Sequence, residues 1–194
     1  DGYWEDVGTL PAYVRAHKDI LDGRVQVGIP GFEVSDGVFI AEGAEVHPDA
    51  VVAGPAVVGD NCFVDAGARL GEYTVLGQGV RVRSGAELER TVVHENAYLG
   101  ESVKLRGTVV GRAADLRRNA RCEEGVVLGD EVFVGEDAVI STDVKVYPFK
   151  TVEGGAVVNT SLIWESRGAR SLFGRGGVTG HAAARQQPDA HGGD

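Results

Sequence analysis

Methionine is absent from all 194 residues and the chain opens on Asp1, so it is expected to be a piece of a longer protein. Cysteine is almost absent: Cys62 and Cys122 stand 60 positions apart. Two are too few for a disulfide scaffold and wrongly spaced for a zinc site. They are expected to be reduced, buried residues of a cytoplasmic protein. Basic residues are in deficit, with Lys plus Arg at 19 against Asp plus Glu at 29, a net charge of −10. Nucleic acid is thereby disfavoured as the main partner, because phosphate binding needs a basic footprint. No apolar run approaches the roughly 18 residues of a membrane span. No charged stretch leads into an apolar one at the N-terminus, so neither a membrane-spanning nor a secreted reading holds. Hydrophobic residues still reach 43%, enough for a core and too many for wholesale disorder.

Glycine, by contrast, supplies 29 residues, about twice the usual 7% share. It falls within a repeat. Steps of six from Ile40 reach Val46, Val52, Val58, Val64, Leu70, Leu76, Val82 and Leu88, all aliphatic. A step of five resets the frame to Val93, followed by Leu99 and Leu105. A second step of five reaches Val110, then Leu116, Cys122, Leu128, Val134, Ile140, Val146, Val152 and Val158. The residue two before each marker is small or β-branched, as at Ala44, Ala50, Ala56, Cys62, Ala68 and Thr74; Lys150 is the charged exception. On an extended segment those two positions share a side. Between them stand turn residues such as Gly43, Asp49, Pro55, Asn61, Gly67, Gly79 and Gly85, which tolerate a tight corner. Each hexad therefore reads as a short strand and a corner. A helix with this glycine load would lose about 1 kcal/mol at each interior site.

Three such hexads close a triangular coil, so 21 markers give seven coils, a prism about 34 Å long at about 4.8 Å per strand. This pattern resembles the left-handed parallel β-helix of hexapeptide-repeat proteins, an all-β fold. The handedness comes from that resemblance. The two five-residue steps predict irregular corners at Leu88→Val93 and Leu105→Val110 and nowhere else. Outward positions include Val51, Val57, Phe63, Val75, Val93, Val127, Phe133 and Val139. So many apolar outward residues predict self-association through the prism faces.

Residues 1–30 escape the hexad rule. Thr9 is a candidate N-cap and Pro11 sits in the first turn; Leu10, Val14, Ile20 and Leu21 mark one face and Gly23 ends it. A short N-terminal helix is expected there, then a strand near Arg24–Val27. The stretch Gly2-Tyr3-Trp4-Glu5-Asp6-Val7-Gly8-Thr9, with Asp19-Ile20-Leu21-Asp22-Gly23 after it, resembles the end of a sugar-phosphate nucleotidyltransferase catalytic domain. In that family an aromatic-rich Gly-Tyr-Trp-x-Asp-x-Gly-Thr segment closes the active site and a helix leads into a hexapeptide β-helix. The resemblance implies that Asp6 is one of two carboxylates holding Mg²⁺ against nucleoside triphosphate and sugar 1-phosphate. The family's glycine-rich nucleotide-binding start and the partner aspartate do not occur in the sequence. The 194 residues alone are therefore expected to lack nucleotidyl transfer.

Beyond Val158, the segment Ser171-Leu172-Phe173-Gly174-Arg175-Gly176-Gly177-Val178-Thr179-Gly180 is similar to the opening of the phosphohexomutase family, Phe-Gly-x-x-Gly-Ile-Arg-Gly. Thr179 stands where that family often has Arg. A nucleotidyltransferase end, a β-helix and a mutase start in series resemble the actinobacterial mannose-1-phosphate guanylyltransferases fused to a phosphomannomutase-like domain. The implied divisions are 1–30 for the catalytic-domain end and connecting helix, 31–163 for the β-helix, and 164–194 for a truncated mutase-like segment expected to be disordered.

Three further features carry candidate chemistry. His94, at the first frame reset, and His47 are candidate bases for a hexapeptide acyltransferase working beside coenzyme A, a reaction that needs proton removal from a hydroxyl or amine. Lys104, Arg106, Arg112, Arg117, Arg118 and Arg121 face only Glu101 and Asp115 in sequence, a patch suited to nucleotide-sugar phosphate, an acidic neighbouring subunit or simply water. A purely structural assembly module is the third reading beside nucleotidyl and acyl transfer.

Overall fold

The computed structural model describes residues 32–35 and 37–162. The expected N-terminal helix, the strand near Arg24–Val27, Asp6 and the segment 164–194 lie outside the described residues. Among the described residues there are twenty-two strands, most of only two residues, and no helix. Strand β1 (Phe32–Ser35) pairs antiparallel with β2 (Val38–Ile40). From β2 on, the chain visits three parallel sheets in turn and climbs one strand per visit, completing seven coils at β22 (Val157–Val158).

The repeat sets this register. On the first face Ile40, Val58, Leu76, Val93, Val110, Leu128 and Val146 stack as successive rungs. The second face stacks Val46 through Val152 and the third stacks Val52 through Val158. Each marker points inward, and from the second coil on the interior is a column of Leu, Val, Ile and Ala with exposures near zero, against which the partly buried Ile40, Val46 and Val52 of the first coil pack. Backbone N–H groups donate to carbonyls one coil away, as from Glu45 to Cys62 at 2.8 Å. The ladder therefore satisfies the peptide groups that a stack of two-residue strands would otherwise leave unpaired. Most corners place one residue at positive φ, for instance Asn61 at 55° and Gly67 at 75°, which explains the Gly and Asn content of the turns.

Both five-residue steps fall on the edge between the third and first faces. The strands before them, Glu87–Glu89 and Lys104–Arg106, gain a third residue while the corner loses one. Thr91 and Thr108 then turn fully inward, and their hydroxyls donate to the carbonyls of Glu89 at 2.9 Å and Arg106 at 3.0 Å. Register survives: Val93 still pairs with Leu76 and Val110. The same edge is also irregular elsewhere, contrary to the expectation. The Gly54–Pro55 bond at its first corner is cis, and the last step is only four residues, from Val158 to Leu162, which bridges to Val146. Collecting length changes along one edge leaves the stacked corners of the other two edges matched coil to coil.

The outward positions need one correction. Val93 faces the interior at 1% exposure, because the short corner brings it, not Val92, under Leu76. Val57 points outward yet is only 8% exposed. Val51 and Phe63 are exposed, and Val75, Val127, Phe133 and Val139 are half-buried.

Candidate interaction faces of the prism

Neither cysteine is a nucleophile. Cys62 donates its thiol to the Gly77 carbonyl at 2.9 Å, and burial pushes its pKa up. Complete burial raises the Cys122 thiol further. Both stay neutral at ordinary pH and act as small apolar core residues.

His94 follows Val93 on the first face, between Gly77 and Gly111 on the adjacent rungs. It is half-buried, and its backbone N–H donates to Val110 at 2.9 Å. His47 is exposed, and its Nδ1 accepts the Asp49 backbone N–H at 3.0 Å. The structure places the two imidazoles on different faces, since Val93 belongs to the first sheet and Val46 to the second.

The basic stretch is not one patch. Lys104, Arg106 and Arg121 share the third face, where they line a shallow concavity of about 480 Å³ that does not include His94. Glu87, Glu89 and Glu123 line the same concavity, so its charge alternates in sign. Arg112 sits on the corner leaving the first face, 3.6 Å from Glu95. Arg117 lies on the second face, and Arg118 on the exposed corner after it. Sequence proximity grouped these six because it ignores the turn of about 120° between successive hexads of a three-sided coil. Along the third-to-first edge, Arg90 reaches over Gly107 to grip Glu124 in a two-point contact, at 3.3 and 3.1 Å. Both side chains are partly solvated, so the clamp contributes well under about 1 kcal/mol.

The second face carries a pattern that stepping through the markers alone does not reveal. Its outward column reads Phe63, Arg81, Tyr98, Asp115 and Phe133 on five adjacent rungs. The Arg81 guanidinium lies 5.1 Å from the Phe63 ring centre. Arg117, one column over, spans Tyr98 at 5.6 Å and Phe133 at 5.5 Å while its Nη2 donates to Asp115 Oδ2 at 2.9 Å. The other oxygen, Asp115 Oδ1, has no hydrogen-bond partner. Phe63 and Phe133 are among the outward apolar positions of the hexad pattern. The signal for the rest was the coil length: offsets of 18, 17, 17 and 18 connect the five positions. Among the described residues no group of three or more His, Cys, Asp or Glu is arranged to hold a metal ion.

Comparison with known proteins matches residues 63–163 to the family described as "GMPPB C-terminal domain". That is just over half of the chain. The chain belongs to this family. Residues 37–72 also match the six-repeat bacterial transferase hexapeptide, the repeat of the left-handed β-helix. A glucose-1-phosphate adenylyltransferase of Desulfitobacterium hafniense is 29% identical over 163 residues, covering 72% of this chain and 37% of the relative. The bifunctional protein GlmU of Pseudoalteromonas atlantica is 26% identical, covering 74% of this chain and 34% of that protein. The chain thus spans little more than a third of the length of these relatives. Among solved structures, a hexapeptide transferase family protein from Anaplasma phagocytophilum superimposes with a TM-score of 0.53 at 16% identity, over 62% of this chain and 72% of that one. This last likeness establishes the shared fold alone.

Proposed function

We propose that the chain is the C-terminal portion of a mannose-1-phosphate guanylyltransferase-like enzyme, with the prism serving assembly and regulation. The observation that carries this reading is the family match over residues 63–163. The adenylyltransferase relative supports the reaction class, and the Gly2–Thr9 segment supports an upstream catalytic domain. In the reaction a phosphate oxygen of mannose 1-phosphate attacks the α-phosphorus of GTP. One P–O bond forms to give GDP-mannose, and the bond to the bridging oxygen breaks to release pyrophosphate. Negative charge accumulates on the phosphates, which Mg²⁺ would offset. Asp6 would supply one of its carboxylate ligands. The enzyme would work in the cytoplasm as a homo-oligomer, with nucleoside triphosphate and sugar 1-phosphate as its partners. Among the described residues no helix is long and apolar enough to cross a membrane.

Acyl transfer through His94 finds less support, since the third-face concavity and His94 do not coincide. The chain extended by its own upstream coding region tests the specificity. GTP with mannose 1-phosphate should be used at least about tenfold more efficiently than ATP with glucose 1-phosphate, a transition-state difference of about 1.4 kcal/mol. Faster formation of ADP-glucose would overturn the guanylyl assignment and leave the nucleotidyltransferase class in place.

A further inference from the structure

We infer that the first face seats the chain's own N-terminal segment, with residues 10–22 lying along it as an amphipathic helix. This goes beyond nucleotidyl transfer, and the proposed function enters only in what that segment carries.

The first face differs from the other two in charge. Its outward column reads Phe39, Val57, Val75, Val92, Val109 and Val127 on six successive rungs, and Lys145 ends it on the seventh. The outward column beside it holds Gly or Ala on each of those six rungs except at His94. No Asp, Glu, Lys or Arg stands in either column, whereas the third face presents Arg69, Glu87, Lys104 and Arg121. A contiguous apolar strip of this kind marks a contact surface. It is also shut from water. Val57, Val92 and Val109 are 8%, 4% and 6% exposed, although Val139, an outward residue flanked by rungs on the third face, is half-buried. Among the described residues each strand of this sheet makes its main contacts with the rungs above and below, and none lies across the valine column. The cover is chain outside them.

Two stretches are long enough, 1–31 and 163–194. The second follows Leu162, which bridges to this sheet, but it has glycine at 168, 174, 176, 177 and 180 and no apolar residues at helical spacing. In the first, Leu10, Val14, Ile20 and Leu21 fall on one side of a helix, with Arg15, Asp19 and Asp22 on the other, the pattern of a helix that buries one stripe. Thr9 and Gly23 bound it. Its length fits the face. Residues 10–22 as a helix measure about 20 Å at about 1.5 Å each, and the five rungs from Val57 to Val127 span about 19 Å at about 4.8 Å apart. Residues 23–31 reach up to about 30 Å when extended. That joins the helix to Phe32, whose strand borders β2 on this same sheet. A helix this short is marginal alone in water, so the valine strip is what holds it. Thr9 directly precedes the helix, so seating it fixes the Gly2–Thr9 segment against the prism, and with it Asp6. On the proposed function, that is how the catalytic-domain end is held.

Hydrogen exchange of the 194-residue chain, followed by mass spectrometry, tests the seat without any substrate. Amides of residues 10–22 should exchange at least about tenfold more slowly than unstructured chain. Val92→Asp places a charge on the strip and should return residues 10–22 to the unstructured rate, while the ladder amides around Val82, Leu99 and Leu116 stay protected. Val14→Asp should do the same from the helix side. It leaves the prism untouched, so it decides should Val92→Asp not fold. Arg15→Asp on the polar side of the helix and Val139→Asp on the third face should leave residues 10–22 protected. Rapid exchange of residues 10–22 in the wild type, or protection that survives Val14→Asp, overturns the proposal. So does a Val92→Asp variant that frees residues 163–194 in place of 10–22, which gives the face to the other end of the chain. Failure of the guanylyl assignment would change none of these rates.

Discussion

Leu99→Ala is expected to cost about 2–5 kcal/mol of stability, the range for deleting a fully buried leucine. Leu99 has no exposed surface and sits mid-prism between the Val82 and Leu116 rungs. The spacing of those rungs is set by backbone hydrogen bonds, from Arg83 to Leu99 at 2.9 Å and from Gly100 to Leu116 at 2.8 Å. The walls therefore cannot close on the vacated volume, and the cost should lie in the upper half of the range. Because each coil touches only its neighbours, the damage should be local. Hydrogen exchange should accelerate most in residues 81–117 and least near Phe39–Val46. Val157→Ala, at a site 38% exposed on the last rung, should stay within about 0.5 kcal/mol. Urea titration with hydrogen exchange checks both. A Leu99→Ala loss below about 1 kcal/mol, or uniform acceleration along the chain, would contradict a rigidly stacked solenoid.

The second large effect concerns the proposed chemistry. In the chain extended by its own upstream coding region, Asp6→Ala should lower turnover on the order of 100-fold or more, since losing a metal-holding carboxylate leaves phosphate charge uncompensated. Excess Mg²⁺ should recover part of the loss, because a weakened site fills at higher metal concentration. Steady-state kinetics across a Mg²⁺ series is the measurement. Near-normal turnover of the variant at low Mg²⁺ would remove Asp6 from the metal site.

The fold was legible because one column of aliphatic residues recurs with so few exceptions that even two missing residues could be located. Val93 and Val110 re-enter the ladder where the shortened steps put them. What compensates those steps was not legible. Thr91 and Thr108 look like ordinary turn residues in sequence. Only the closed corner shows that they turn inward and satisfy their hydroxyls on the chain two residues back. Val93 stands in the sequence reading both as a marker and as an outward residue, and its pairing with Leu76 and Val110 decides for the marker. The make-up of the outer faces was harder still. The basic residues between Lys104 and Arg121 are neighbours in sequence and yet divide over two faces and two corners. Phe63, Arg81, Tyr98, Asp115 and Phe133 span 71 positions and form one column. Chemistry on a prism is read along the stacking direction, about 17 or 18 residues at a time. Period six alone finds the core and misses the faces.

Whether the prism is architectural or itself catalytic turns on what the 194-residue chain binds. Isothermal titration of that chain with coenzyme A, and separately with GTP and Mg²⁺, is the direct test. An architectural prism gives no saturable heat with either titrant at up to about 1 mM, a concentration at which binding of about 4 kcal/mol is detectable. Stoichiometric binding of coenzyme A that is lost on His94→Ala would contradict it and assign the chain to acyl transfer.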